Sequence, residues 1–299
     1  MRWKGRRGSD NVEDRRASTG ARIGGGGGSG IGISILSFVM RTFGFKGVIV
    51  AVIAVLALWK LGIVDPSALL GGGTSTSSSN AKFVESEREK ELYQFVTVVL
   101  ADTEKIWTEA FAKHGQKYVA PKLVVYRKFV QTGGCGGGSA AMGPFYCPAD
   151  KKIYIDLGFY DELEKNFKAP GDFAQAYVLA HEVGHHVQNM MGTSGKVSAR
   201  RGKSDYNQMS VRLELQADYY AGIWANQSRQ YLEEGDIEEA MRAANAIGDD
   251  TIQKKSSGKV VPHAFTHGTS EQRMRWFMNG MKSGRFEEGD TFSQAYESL

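Results

Sequence analysis

Residues 173–192 read FAQAYVLAHEVGHHVQNMMG, and this run decides how the rest of the chain is read. It holds no proline. Asp172 can cap its start after Pro170 and Gly171, and Gly192 can end it. Phe173, Ala176, Tyr177, Ala180, Gly184 and Val187 fall at helical spacing, so the run predicts an amphipathic helix with that stripe inward. His181 and His185 are four apart and therefore lie on one helix face, where both rings can close on one ion. Glu182 projects beside that ion, where a carboxylate can take a proton from water. With 6 His and 33 acids in 299 residues, chance would supply about 0.01 such matches, so the pattern is specific. His186 sits about 100° further around the helix and is read as structural.

A catalytic zinc site takes three protein ligands and keeps a position for water. A histidine-rich extension of the motif would need Gly at Gln188 and His at Met191, so the third ligand lies elsewhere. Glu214 is the best candidate, in a second helical run over residues 204–229. Asp218 follows it by four and shares its face, placed to accept the free ring N–H of a liganding histidine. Asp205 and the acids near Glu233 are poorer rivals, having no such partner.

H-E-x-x-H followed by E-x-x-A-D resembles the gluzincin metallopeptidases, which use Glu as third ligand. Residues 266–273, THGTSEQR, resemble the T-H-P-x-x-E-x-R element of the membrane-associated Ste24/HtpX-type zinc peptidases, with Gly268 where proline is usual. Together with an N-terminal apolar segment and a glycine-rich cysteine loop, nearly the whole chain resembles the bacterial neutral zinc metallopeptidase family. The resemblance implies His181, His185 and Glu214 as zinc ligands and Glu182 as general base. It also implies that His267 approaches the scissile carbonyl and that Arg273 holds that end of the site. His263 is a nearby competitor of His267. The implied fold is α+β, a mostly helical zincin-like domain with a small sheet, preceded by one transmembrane helix.

The net charge of +4 is unevenly spread. Residues 1–64 carry ten Lys/Arg against three Asp/Glu, a net +7, which leaves the remainder at −3 and argues against a nucleic-acid-binding body. Residues 1–46 read as a disordered basic tail in the cytoplasm. Residues 47–64, GVIVAVIAVLALWKLGIV, read as a transmembrane anchor, a buried soluble helix being the alternative. A cleaved signal peptide fits less well, because no A-x-A-type site follows. Residues 65–80 read as a Gly/Ser-rich linker, and 81–299 as the peptidase domain. The expected location is the inner (plasma) membrane, single-pass, with the catalytic domain outside. A cytoplasmic protease is the alternative placement.

In that domain, residues 81–114 predict a helix, and 123–130 and 152–159 predict strands. Residues 152–159 are read as an edge strand that aligns an extended peptide by strand addition. The intervening glycines form no P-loop, since no GK[ST] ends the run. Cys135 and Cys147 are the only cysteines, too few for a zinc ribbon. Outside the membrane they would close the glycine-rich loop as a disulfide; otherwise they are two free thiols. Residues 196–203, KVSARRGK, read as a mobile basic loop, and 237–247 and 273–281 as further helices. The expected function is a membrane-anchored zinc endopeptidase acting on peptides or proteins. The alternative is a non-catalytic anchored binding protein with a structural zinc, disfavoured by Glu182 and by a set of only three ligands.

Overall fold

The computed structural model describes residues 1–18 and 84–299. The expected anchor at 47–64 and linker at 65–80 lie outside the described residues. Among the described residues no helix is long and apolar enough to cross a membrane. The described part is α+β and mostly helical.

The strands are β1 (Val12–Asp14), β2 (Lys122–Tyr126), β3 (Phe129–Gln131), β4 (Gly137–Ser139), β5 (Phe145–Cys147) and β6 (Lys152–Asp156). One sheet has the order β1-β2-β6-β5; β1, β2 and β6 run parallel, and β5 runs antiparallel to β6. The strand expected over 123–130 is therefore two strands. Lys128 breaks it with φ 63°, and its N–H is taken by Asp156 Oδ2 at 2.6 Å. Beyond that kink β3 pairs with β4 in a separate hairpin. The expected edge strand is also corrected: β6 is interior, and the sheet ends on β5.

The helices are α1 (Glu87–Lys113), α2 (Phe159–Lys165), α3 (Asp172–Met190), α4 (Thr193–Ser198), α5 (Tyr206–Gln227), α6 (Asp236–Ala246), α7 (Asp249–Ser257) and α8 (Ser270–Ser283). α1 starts where the Ser86 hydroxyl caps the Glu89 N–H, and it buries Phe95, Val96, Val99, Leu100, Trp107 and Phe111. The basic stretch at 196–203 is part helix, part turn, with Arg200 paired to Asp205 at 2.6 Å. α8 opens on a capping box formed by Thr269 and Gln272.

α3 carries the motif and sits in the centre of the core. The predicted inward stripe is buried, with Phe173, Ala176, Tyr177 and Val187 all at 0% exposure. Its cap differs from expectation. Asp172 makes no capping bond; the Phe173 N–H is taken instead by Glu239 of α6 at 3.0 Å. Asp172 faces the Met1 ammonium at 2.6 Å, which Asp236 also meets at 3.2 Å.

The reading of the N-terminus as a disordered tail is corrected for residues 1–18. β1 pairs with β2, Trp3 stacks edge-on to Phe95, and Arg6 pairs with Asp102. Arg6 looks solvated in sequence because its acidic partner, Asp102, lies on α1, far along the chain.

Helices α5 and α8 pack backbone to backbone. A Cβ on Gly222 would come within 2.1 Å of the Phe277 carbonyl oxygen, and one on Gly280 within 2.0 Å of the Tyr219 carbonyl oxygen. Gly184 similarly lets α3 approach α5, since its Cβ would meet the Ala217 carbonyl oxygen at 3.0 Å. These contacts bring α3, α5 and α8 together at the motif.

Candidate metal centre

The helical spacing does what it predicts. One ligand atom each from His181, Glu182 and His185 lie within 4.8 Å of one another. α5 brings Glu214 across the gap: its Oε2 is 3.2 Å from His181 Nε2 and 3.5 Å from His185 Nε2.

The other nitrogen of each ring is already engaged. His181 Nδ1 is 2.8 Å from Asp218 Oδ1, and Tyr177 donates its hydroxyl to the same oxygen at 2.6 Å. His185 Nδ1 is 2.9 Å from Gln188 Oε1. Gln188 is oriented in turn by donating to the Leu213 carbonyl at 2.6 Å and to Gln216 Oε1 at 3.1 Å. Both Nε2 atoms are thereby turned toward Glu214. Two imidazole nitrogens and one carboxylate form a donor set that suits zinc and leaves a position for water.

Arg273 enters from α8. Its Nε donates to Asp218 Oδ2 at 2.8 Å and its Nη2 to Asp218 Oδ1 at 2.9 Å, a two-pronged contact to a carboxylate with no exposed surface. Although burial works against the charged form, the Arg273 charge holds the Asp218 carboxyl down at about 2. Burial also opposes charge on His181, yet Asp218 and Glu214 hold its imidazole up to about 9 in the metal-free protein. Glu214 lies well below the usual carboxylate range: His185 and His181 outweigh its burial. Glu182 behaves differently. Burial raises its carboxyl, with the charges on His185 and His181 opposing.

His267 lines the same cleft of about 490 Å³ as His181, Glu182, His185 and Glu214; His263 does not. Its segment is organised by Asp249, which sequence reasoning missed. Asp249 Oδ2 accepts the backbone N–H groups of Thr266, His267 and Gly268 at 2.7, 2.7 and 3.1 Å, and its Oδ1 is 3.1 Å from His267 Nδ1. That last contact raises the His267 pKa. Gly268 has φ +92°, which a proline ring forbids, so this turn differs from the proline-containing element it resembles.

His186 is structural. Its Nδ1 meets the Tyr146 hydroxyl at 3.0 Å and its Nε2 the Val119 carbonyl oxygen at 2.7 Å, and burial lowers its pKa. Asn189 also donates to the Tyr146 hydroxyl, at 2.8 Å, so α3 fixes β5. Cys135 and Cys147 are bonded, S–S 2.00 Å, tying the glycine-rich loop to β5.

Tyr177 and Gln188 were also missed in the sequence. Their signal was present, since they lie four residues before His181 and three after His185, on the metal face of α3. A second acidic group, Asp172, Asp236 and Glu239, could also hold an ion by geometry. The first two face the Met1 ammonium and the third caps α3, so their charge is already answered.

A family model described as "Putative neutral zinc metallopeptidase" matches residues 1–292. The chain is 46% identical over 304 residues to the uncharacterized protein YpfJ of Escherichia coli strain K12, covering 99% of this chain and 100% of that one. It is 42% identical over 191 residues to the uncharacterized protein Rv2575 of Mycobacterium tuberculosis strain H37Rv, covering 60% of this chain and 64% of that one. No solved structure gives a significant match.

Proposed function

Since the chain belongs to the neutral zinc metallopeptidase family, we propose that it is a membrane-attached zinc endopeptidase whose active site is built on α3. The observation that carries this reading is the convergence of His181 Nε2 and His185 Nε2 on Glu214 while both Nδ1 atoms are held elsewhere. His181, His185 and Glu214 would hold the ion. When bound, zinc supplies a Lewis acid that activates water and polarises a peptide carbonyl.

The chain's own residues do the rest. Glu182 accepts the proton of the attacking water and returns it to the leaving amine. Burial raises its pKa, which favours holding the proton until the amine leaves. His267 donates to the developing oxyanion as an imidazolium: Asp249 accepts its Nδ1–H and raises its pKa, which keeps a proton on Nε2 for the oxyanion. Arg273 acts through Asp218 and is a positioning residue.

The cleft favours a peptide in extended form. Phe145 and Tyr146 of edge strand β5 line it, so β5 takes the aligning role first given to β6. Phe159, Phe167, Val178 and Ile252 form an apolar wall. Val178 lies one turn before Glu182 on the same helix face, so this wall stands on the side where Glu182 protonates the leaving amine. The residue just after the scissile bond is therefore read as large and apolar.

The disulfide favours an extracytoplasmic domain, and residues 47–64 are read as the membrane attachment. Zinc content with and without chelation, measured beside peptide cleavage, tests the reading. Full cleavage by the zinc-free protein would reject it.

A further inference from the structure

We propose that residues 1–18 and residues 84–299 lie on the same side of the membrane. This rests on the membrane attachment proposed above and sets aside the single crossing expected from the sequence.

The first support is strand pairing. β1 lies parallel to β2 in the register Val12 to Leu123, Glu13 to Val124 and Asp14 to Val125. The Leu123 N–H donates to the Asn11 carbonyl at 2.9 Å, and the Arg15 N–H to the Val125 carbonyl at 2.7 Å. Upstream, the Arg2 N–H reaches the Tyr231 carbonyl at 2.8 Å, and the Ser9 N–H the Thr97 carbonyl at 2.9 Å. A three-residue strand has no stability alone, so β1 exists because β2 is beside it.

The second is packing. Trp3 is 7% exposed and stacks on Phe95 with ring centroids 5.4 Å apart. The Arg6 guanidinium lies 3.3 Å from the centroid of the Tyr231 ring and pairs with the largely buried Asp102. At Gly8 the arm runs flush against α1, where a Cβ would stand 2.4 Å from Thr97 Oγ1. A single crossing would put about 30 Å of hydrocarbon between the arm and these partners. Asp102 would then be buried without its cation, and β2 would become an open edge.

The third is charge. Three of the cations that suggest a cytoplasmic tail have partners in the fold: Lys4 with Glu91 at 2.6 Å, Arg6 with Asp102, and Arg16 with Glu85 at 2.6 Å. They complement α1 and the segment before it, which is reason enough for their presence without a topogenic role.

The test uses the full chain in its membrane with Lys4→Cys and Glu91→Cys together, an exposed pair whose charged groups now touch. Because the two long side chains meet only at their tips, a short bis-maleimide linker should join the two new thiols within one chain, read as the linker's mass on the intact monomer. No intrachain link under conditions that join a control pair of thiols would overturn the proposal. Arg7→Cys and Glu271→Cys, made singly, give a second reading with a membrane-impermeant maleimide on intact cells. The same response at both positions supports the shared side, and opposite responses overturn it. Both labelled keeps the peptidase outside; both protected supports the shared side but overturns the extracytoplasmic placement. A chain found only in the soluble fraction overturns the attachment on which this proposal rests, an outcome the labelling pattern does not mimic.

Discussion

Asp218 Oδ1 stands 2.8 Å from His181 Nδ1, inside a core where the Asp218 side chain has no exposed surface. One carboxylate thus fixes a ring on α3 from a position on α5, while Arg273 of α8 fixes the carboxylate. Three helices agree on one imidazole orientation before any metal arrives.

Asp218→Asn should therefore act on metal and on fold together. Loss of such a partner typically weakens metal binding by about 10–100-fold. It also leaves Arg273 buried without its counter-charge, which costs about 3–5 kcal/mol. Chelator competition and denaturant unfolding measure the two effects, and unchanged zinc affinity would remove Asp218 from its positioning role.

The pH dependence has a definite sign. In the metal-free protein the His181 pKa is raised from 6.5 to about 9. Its contribution to stability is fully present below pH 6.5 and is lost as pH rises through about 9. Metal needs the neutral ring, so zinc uptake at pH 7 should release a proton from His181, and apparent affinity should climb with pH toward 9. Calorimetric titration in buffers of different ionisation enthalpy reads that proton; no buffer dependence would contradict it.

Gly280→Ala should destabilise by about 1–3 kcal/mol or more, by overpacking. On helix propensity alone the same change would stabilise by about 0.5–1 kcal/mol. The close approach of Gly280 to the Tyr219 carbonyl oxygen decides the sign. A raised melting temperature would mean that α5 and α8 do not pack this closely.

Alkylation without prior reduction should leave the mass unchanged, because Cys135 and Cys147 are bonded. Replacing both by Ser should cost about 2–4 kcal/mol. Since Cys147 lies on β5, it should also raise KM more than it lowers kcat. Added mass on the unreduced chain would show free thiols.

What could be read from sequence was what local spacing encodes. Four-residue steps placed His181 beside His185 and Glu214 beside Asp218, and a helical stripe gave the buried face of α3. What could not be read depends on partners distant in the chain. The arm at 1–18 has the composition of a solvated tail, and only its contacts with α1 and β2 make it structure. Asp172 has the identity of a cap, but Glu239 of α6 supplies the capping bond. The strand pattern at 123–130 gave no sign of the left-handed Lys128, whose backbone is held by Asp156. β6 looked like an edge because strand order, unlike strand existence, is a long-range property.

The central claim is that Glu182 works beside a metal held by His181, His185 and Glu214. The most direct test is a comparison of the zinc-loaded full chain with its Glu182→Gln variant on a diverse peptide mixture, read by mass spectrometry. The account predicts equal zinc in both, and cuts made only by the unmutated protein, enriched for a large apolar residue just after the cut. Equal cleavage by both proteins, or no cleavage by either with zinc bound, would contradict it.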